Sequence, residues 1–445
     1  MHRYEPHPMK LEETRREVTE APRRVPVRAD TEVLVIGGGP AGVGAALAAA
    51  RSGAKVLLLE RYNLLGGMWT AGLVNPFFEA DRNGWLIAEL IGRLKEAGAW
   101  TRWLFAYTFD PERMKVELES MMLEAGVEVL YGVLGVDAIV QEGQVLGAVV
   151  ESKAGREACL ARVTIDCTGD GDIAARAGAP FELGRPSDGL VQPMTLMFEL
   201  EGLSPDFVLE RATDLYDAMV RATEEAGLGY ELPVGRVGYA PWVITLPDPR
   251  RAAVQLTHVY RLNPLCPVDL TRGIIDGRRQ ALAAAEVLKH VPGLEGARLA
   301  QTAGQIGIRE SRRICGEYTL TLEDLVAGRR FKDAIAACGF GVDIHEPAPG
   351  SGVPSGHGAR MQPYEIPYRC LLPQELTGLL VAGRCLSGTH EAHASYRVTG
   401  TCMATGQAAG LAAALAASEG LLPHELEGTR VRAGLQERGV RLLDG

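Results

Sequence analysis

A glycine-rich link between two unbroken apolar runs constrains this chain more than any other feature. Val33-Leu34-Val35-Ile36 runs directly into Gly37-Gly38-Gly39-Pro40-Ala41-Gly42, then an Ala-rich stretch to Arg51, Gly53, and Val56-Leu57-Leu58-Leu59-Glu60. Continuous β-prone runs mark strands buried on both faces of a parallel sheet, and parallel neighbours need a crossover, here the Ala-rich helix. Gly53 suits the helix stop. In Gly37-x-Gly39-x-x-Gly42, the first glycine makes the tight turn, the second admits a pyrophosphate to the backbone, and the third lets helix and strand touch. The helix start offers N–H groups and a partial positive charge to the phosphates. Glu60 ends the second strand, where a carboxylate accepts bonds from ribose hydroxyls and repels a 2′-phosphate. This pattern predicts a site for an adenine dinucleotide.

Further along, residues 126–165 read as short strands, the last leading into Thr168-Gly169-Asp170 and a small helix. Strands and helices mix between about 185 and 365. Sheet character returns at Leu379-Leu380-Val381-Ala382-Gly383, followed by a small-residue helix, Cys402–Ser418. The layout predicts a polar extension at 1–23, a nucleotide domain built from 24–185 and 365–445, and a substrate domain inserted at 186–364.

Charge and composition exclude several classes. Asp and Glu number 56 against 46 Lys and Arg, a net charge of -10 with no basic stripe, which argues against nucleic acid. No apolar run approaches the roughly 18 residues of a membrane span, and the charged start lacks the apolar segment of a secretory signal. A soluble, cytoplasmic protein without membrane contact is the expectation. The 8 cysteines form no C-x-x-C pair, which points to reduced, packed thiols rather than redox pairs or iron–sulfur ligands. A second Gly-x-Gly-x-x-Gly between 150 and 365 is also missing, so neither a nicotinamide domain nor disulfide reduction is expected.

Three features favour FAD over NAD: the Gly66-Gly67 doublet soon after Glu60, the Thr168-Gly169-Asp170 turn, and Ala382-Gly383 before the last long helix. FAD is too long to be held by one loop. From Arg24 to about Ser418 the chain resembles the glutathione-reductase-like flavoproteins. More closely, it is similar to the FAD-dependent oxidoreductase family, relatives of the heterodisulfide reductase flavoprotein. The stretches that carry the likeness include VLVIGGGPAGVGAALAAARSGAKVLLLER, GGMWTAGLVNPF, IDCTGDGDIAARAGAPFELGR, IGIRESRRICGEY and LLVAGRCLSGTHEAHASYRVTGTCMATGQAAG. The resemblance implies an α/β fold: a Rossmann-like FAD-binding domain carrying an inserted mixed α+β substrate domain. It assigns Gly37, Gly39, Pro40, Ala41 and Gly42 to the pyrophosphate and Glu60 and Arg61 to the adenosine ribose. Gly67, Met68 and Thr70 go to the ribityl–flavin region, the backbone at Gly135 to the adenine edge, and Thr168 and Gly169 to the adenosine side. Many relatives have Gly-Asp where this chain has Gly383-Arg384. Arg384 cannot accept a ribityl hydroxyl, which leaves a phosphate as its alternative contact. Thr399, Gly400, Thr401 and Cys402 start the last helix, whose N–H groups would face the flavin edge where negative charge develops. Cys402 has no resolving partner nearby, and packing is its expected role.

His390, His393, Ser395, Tyr396 and Arg397 crowd in just before that helix. His357 and Arg360 lie in a flexible-looking loop, and Arg309, Glu310, Arg312 and Arg313 form a charged run. A histidine near a flavin suits proton removal while hydride leaves. The expectation is therefore a dehydrogenase or oxidase acting on a small polar substrate that enters between the domains. His390 or His393 would be the base, and Arg397 or Arg309 would orient the substrate. No metal site is expected, since a third ligand is missing. A homodimer is compatible with the chain. Two other readings stand beside this one: an electron-transfer subunit serving a partner chain, and a thiazole-synthase-like enzyme, because GGMWTAG resembles a segment of those proteins.

Overall fold

The computed structural model describes residues 18–235, 241–347 and 358–443. Its main layer is a seven-stranded sheet. Strands β1 (Val27–Ile36), β2 (Val56–Glu60), β3 (Glu128–Tyr131), β4 (Leu134–Gln141), β5 (Gln144–Ser152) and β6 (Gly155–Asp166) lie in the order β3-β2-β1-β6-β5-β4. The long strand β6 serves two neighbours. Its first half pairs antiparallel with β5, and Thr164–Asp166 pair in parallel with β7 (Leu379–Val381). The central pairings β3-β2-β1-β6-β7 are all parallel, so the strand ends that carry Ile36, Glu60, Asp166 and Val381 line up at one edge. Ligands bind outside that edge in such sheets.

Helix α1 (Pro40–Arg51) follows the glycine loop and packs against helix α3 (Thr399–Glu419). The contact is backbone to backbone. A Cβ at Gly406 would lie 2.0 Å from the Ala41 carbonyl oxygen, and one at Gly410 would lie 2.0 Å from that of Ala45. Larger residues would force the helices apart and move α1 off the sheet. Helix α3 is buried along nearly its whole length, as a helix apolar on every side must be. Residues 320–372 pack into this same core through Leu320, Leu325, Ile335, Ile344 and Tyr364.

A second layer is antiparallel, in the order Trp242–Thr245, Arg251–Gln255, Phe198–Glu201, Arg298–Thr302. Helices Ala212–Glu225 and Pro267–Leu288 cover it, with a core of its own around Phe198, Leu215, Val254 and Leu288. A third apolar cluster joins the layers, and it includes Trp103 from a hairpin formed by Trp100–Trp103 and Ala106–Phe109. Among the described residues, no helix is long and apolar enough to cross a membrane.

Candidate active site

A cleft of about 380 Å³ runs from the glycine loop to the antiparallel layer, within the usual range for ligand sites. Its nucleotide end is mostly backbone. Gly37 has φ +100°, and a Cβ there would meet the Cys167 carbonyl oxygen at 2.5 Å. At Gly39, by contrast, nothing lies within 4 Å of the Cβ position, which leaves open space beside the start of α1. Pro40 occupies the first turn and no side chain caps the helix. The helix end therefore faces the cleft with its backbone dipole uncovered. Gly42 does not line the cleft; its Cβ would be 1.7 Å from the Gly37 carbonyl oxygen, so it acts by allowing the turn to close.

Glu60 is buried in the cleft wall. The Gly38 N–H donates to its Oε2 at 2.6 Å and the Tyr62 N–H to its Oε1 at 2.7 Å. Each oxygen keeps a lone pair for a hydroxyl donor. Arg61, Gly67, Met68, Gly135, Thr168, Gly169, Gly383, Thr399 and Cys402 also line the cleft. Thr70 lies behind the wall, its hydroxyl donating to the Leu65 carbonyl, and Gly400 packs against the Phe78 carbonyl. Thr401 is fully buried against the Cys338 thiol. Arg384 reaches the cleft but is held by Asp170 at 2.7 Å and Ser311 at 2.6 Å. Burial works against the Asp170 charge, yet Arg384 and Ser311 keep its pKa below the ordinary value. Burial pushes the Cys402 thiol up to about 12, and its Sγ donates to the Arg397 carbonyl, the behaviour of a packed, unreactive thiol. Two features fit a long dinucleotide: the open space at Gly39, and the buried Thr399 hydroxyl, which has no partner among the described residues.

The other end is made of side chains. Arg309 donates to the Pro193 carbonyl at 2.9 Å and to Thr195 Oγ1 at 2.6 Å. Arg397 donates to Asp343, at 2.8 Å to its carbonyl and 3.2 Å to Oδ2, while its Nε is buried without a partner among the described residues. Asp343 Oδ2 is 3.3 Å from His345 Nε2, His345 Nδ1 is 2.9 Å from His258 Nε2, and His258 Nδ1 is 3.1 Å from the Leu256 carbonyl. This row begins and ends on acceptors, so its three contacts need three protons. Two neutral imidazoles supply two. One further proton would complete the row.

Burial and then the Arg309 charge push His345 down to about 3, and burial lowers His258 still more clearly, so both are neutral near pH 7. Burial acts to raise Asp343, but His345, Arg397 and Arg309 outweigh it and keep the carboxylate ionised.

Of the four catalytic side chains expected from sequence, Arg309 and Arg397 line this cleft and His390 and His393 do not. In helix α2 (His390–Tyr396) both histidines turn inward. His390 Nδ1 lies 2.8 Å from Glu310, which also binds Arg313 and accepts from the Gln192 N–H. His393 is fully buried, lies edge-on to Tyr396, and is lowered well below its ordinary value by burial and then Arg313. Arg312 and Arg313 brace the loops around Asp172 and Gly184. Arg360 is exposed, and His357 lies outside the described residues. Sequence reasoning missed Asp343, His345 and His258. An Asp-x-His in a loop was the only local signal, and its partner histidine stands 87 positions earlier.

Comparison with known proteins identifies the family. A family model described as FAD dependent oxidoreductase matches residues 32–435. The chain is 32% identical over 155 residues to the thiamine thiazole synthase of Methanococcus aeolicus, a match covering 33% of this chain and 57% of that enzyme. It therefore spans little more than half the length of that relative. It is 29% identical over 216 residues to the thiamine thiazole synthase of Aeropyrum pernix, covering 46% of this chain and 76% of that one. Among solved structures, it is similar to a geranylgeranyl bacteriochlorophyll reductase-like protein of Thermoplasma acidophilum, with TM-score 0.47, 14% identity, and 92% and 83% of the two chains covered. It is also similar to the flavin-dependent brominase Bmp2, with TM-score 0.49, 13% identity and the same coverage. With a match spanning nearly its whole length, this chain belongs to the FAD-dependent oxidoreductase family, and its cofactor is FAD.

Proposed function

We propose that the protein is a dehydrogenase or oxidase that takes hydride from a small polar alcohol or amine held by Arg309 and Arg397. The observation that carries this reading is the cluster of Arg309, Arg397, Asp343 and His345, which lines the same cleft as the glycine loop. Bound FAD supplies the hydride acceptor, N5 of its ring. Gly37, Gly39, Ala41 and Glu60 would hold the dinucleotide at one end, and Thr399 with the start of α3 would meet its ring. Arg309 and Arg397 would orient the substrate. Asp343, steadied by neutral His345, would hold Arg397 in place, and the hydroxyl or amine proton would leave to solvent as the carbon gives up hydride. His390, bound to Glu310 behind the wall, would brace α2.

The test is anaerobic reduction of the flavin by a panel of alcohols, hydroxy acids and amines. With a substrate in hand, Arg397→Gln should slow reduction at low substrate by about tenfold or more, the scale of a lost hydrogen bond from a charged group, with FAD content retained. His390→Gln should leave the rate of the folded fraction near normal. The reverse pattern would assign a base to α2.

The thiazole synthase matches favour a second reading, in which the dinucleotide itself is consumed. Mass spectrometry of the nucleotide released from denatured protein separates the two. Intact FAD supports hydride transfer, and a modified adenine nucleotide supports thiazole formation.

A further inference from the structure

We propose that the substrate carries a flat aromatic body, seated on a box of aromatic rings at the end of the cleft away from the glycine loop. The proposal rests on the hydride-transfer reading and narrows its substrate class to aryl alcohols and aryl amines. Five rings from four separate stretches of chain line this end: Phe78, Trp103, Phe105, Trp242 and Phe340. Trp103 and Trp242 meet edge to face at 5.3 Å, and Phe105 meets Trp242 in the same way at 5.8 Å. Phe78 stacks on Phe105 at 6.2 Å and lies 4.7 Å from Phe340. Edge-on neighbours hold each ring upright and leave faces and edges for a further ring, the arrangement aromatic groups prefer.

Packing alone does not explain the box. Phe105 sits at the hairpin tip next to Leu104, which takes a left-handed φ of +41°, and Phe105 remains 66% exposed. A strained turn that holds a phenyl ring over a cleft, in water, is a poor choice for stability alone, because exposed apolar area gains nothing from folding. A second observation concerns the same cleft. Gln305 lines the cleft, and its Oε1 is buried without a partner among the described residues, so it calls for a donor on the ligand. A hydroxyl or amine attached to the ring would meet that need. In the reaction the substrate C–H would leave with two electrons to FAD, the O–H or N–H proton would pass to solvent, and C–O or C–N would become a double bond. The substrate is oxidised and FAD is reduced.

The test uses FAD-loaded enzyme and matched pairs: benzyl alcohol against cyclohexylmethanol, and benzylamine against cyclohexylmethylamine. Binding is read from the shift in flavin absorption. The aryl member of each pair should bind at least tenfold more tightly. Phe105→Ser, at an exposed tip where folding is not at stake, and Trp242→Leu should each erase most of that preference with FAD content unchanged. Equal binding within the pairs, or a preference that survives both variants, overturns the proposal. If aliphatic members reduce the flavin and aryl members do not bind, the aromatic box is refuted while hydride transfer stands. If aryl members bind selectively but no compound reduces the flavin, the box stands and the hydride reading fails.

Discussion

The two ends of the cleft are built from different materials. Around Gly37 and Gly39 the wall is backbone, and function depends on side chains being absent. Around Trp103, Trp242, Arg309 and His345 the wall is side chains brought from several stretches of chain. A backbone site is unforgiving of added atoms, because a Cβ at Gly37 strikes the Cys167 carbonyl and one at Gly39 fills the space left beside the helix start. A side-chain site is expected to tolerate substitution of its members in folding, yet lose rate or selectivity when they change.

Substitutions at the two ends put this contrast at risk. The largest effect should come from Gly42→Val, whose first added carbon would stand 1.7 Å from the Gly37 carbonyl oxygen. Overpacking of this kind costs about 1–3 kcal/mol or more, so the variant should melt early and lose most of its flavin absorbance. Normal FAD content would mean that the turn is not rigid. Next, Glu60→Ala should weaken FAD binding by roughly 1.5–3 kcal/mol, the scale for hydrogen bonds to a charged group. The Gly38 and Tyr62 N–H groups would also lose their acceptor. Unchanged retention in dialysis would reduce Glu60 to a bracket for the loop.

A smaller effect concerns the side-chain end. His345 is lowered to about 3 in the folded protein against an ordinary 6.5. The unfolded chain therefore binds a proton that the folded chain refuses between those values, and stability must fall as pH drops from about 6.5 towards 3. His258 and His393 are shifted in the same direction and add to the slope. His345→Gln should flatten the curve by up to about 1.4 kcal/mol per pH unit, one proton's share, measured by denaturant unfolding. An unchanged slope would show that His345 is already protonated in the fold. The smallest effect should be that of Cys402→Ala. Its thiol, held near 12, should resist alkylation, and its loss should leave the rate of flavin reduction unaltered.

The first strand, the glycine turn, α1, β2 and Glu60 could be read directly from residues 33–60, as could the closing strand and small-residue helix. These features are local. Strand and helix period, a positive φ that needs glycine, and a carboxylate at a strand end are all written within a few tens of residues. What the tertiary structure alone decided was direction and company. Proximity in the chain placed His390, His393 and Arg397 beside α3, but a helix spreads neighbouring residues around its axis. The fold turned both histidines inward and left only Arg397 on the cleft. Asp343, His345 and His258 meet because a loop after the Ala334–Cys338 strand passes the residue that follows Arg251–Gln255 by three positions. The aromatic box likewise needs a hairpin, a sheet edge and two loops to converge. No pattern along the sequence records such meetings, because they follow from how the layers pack.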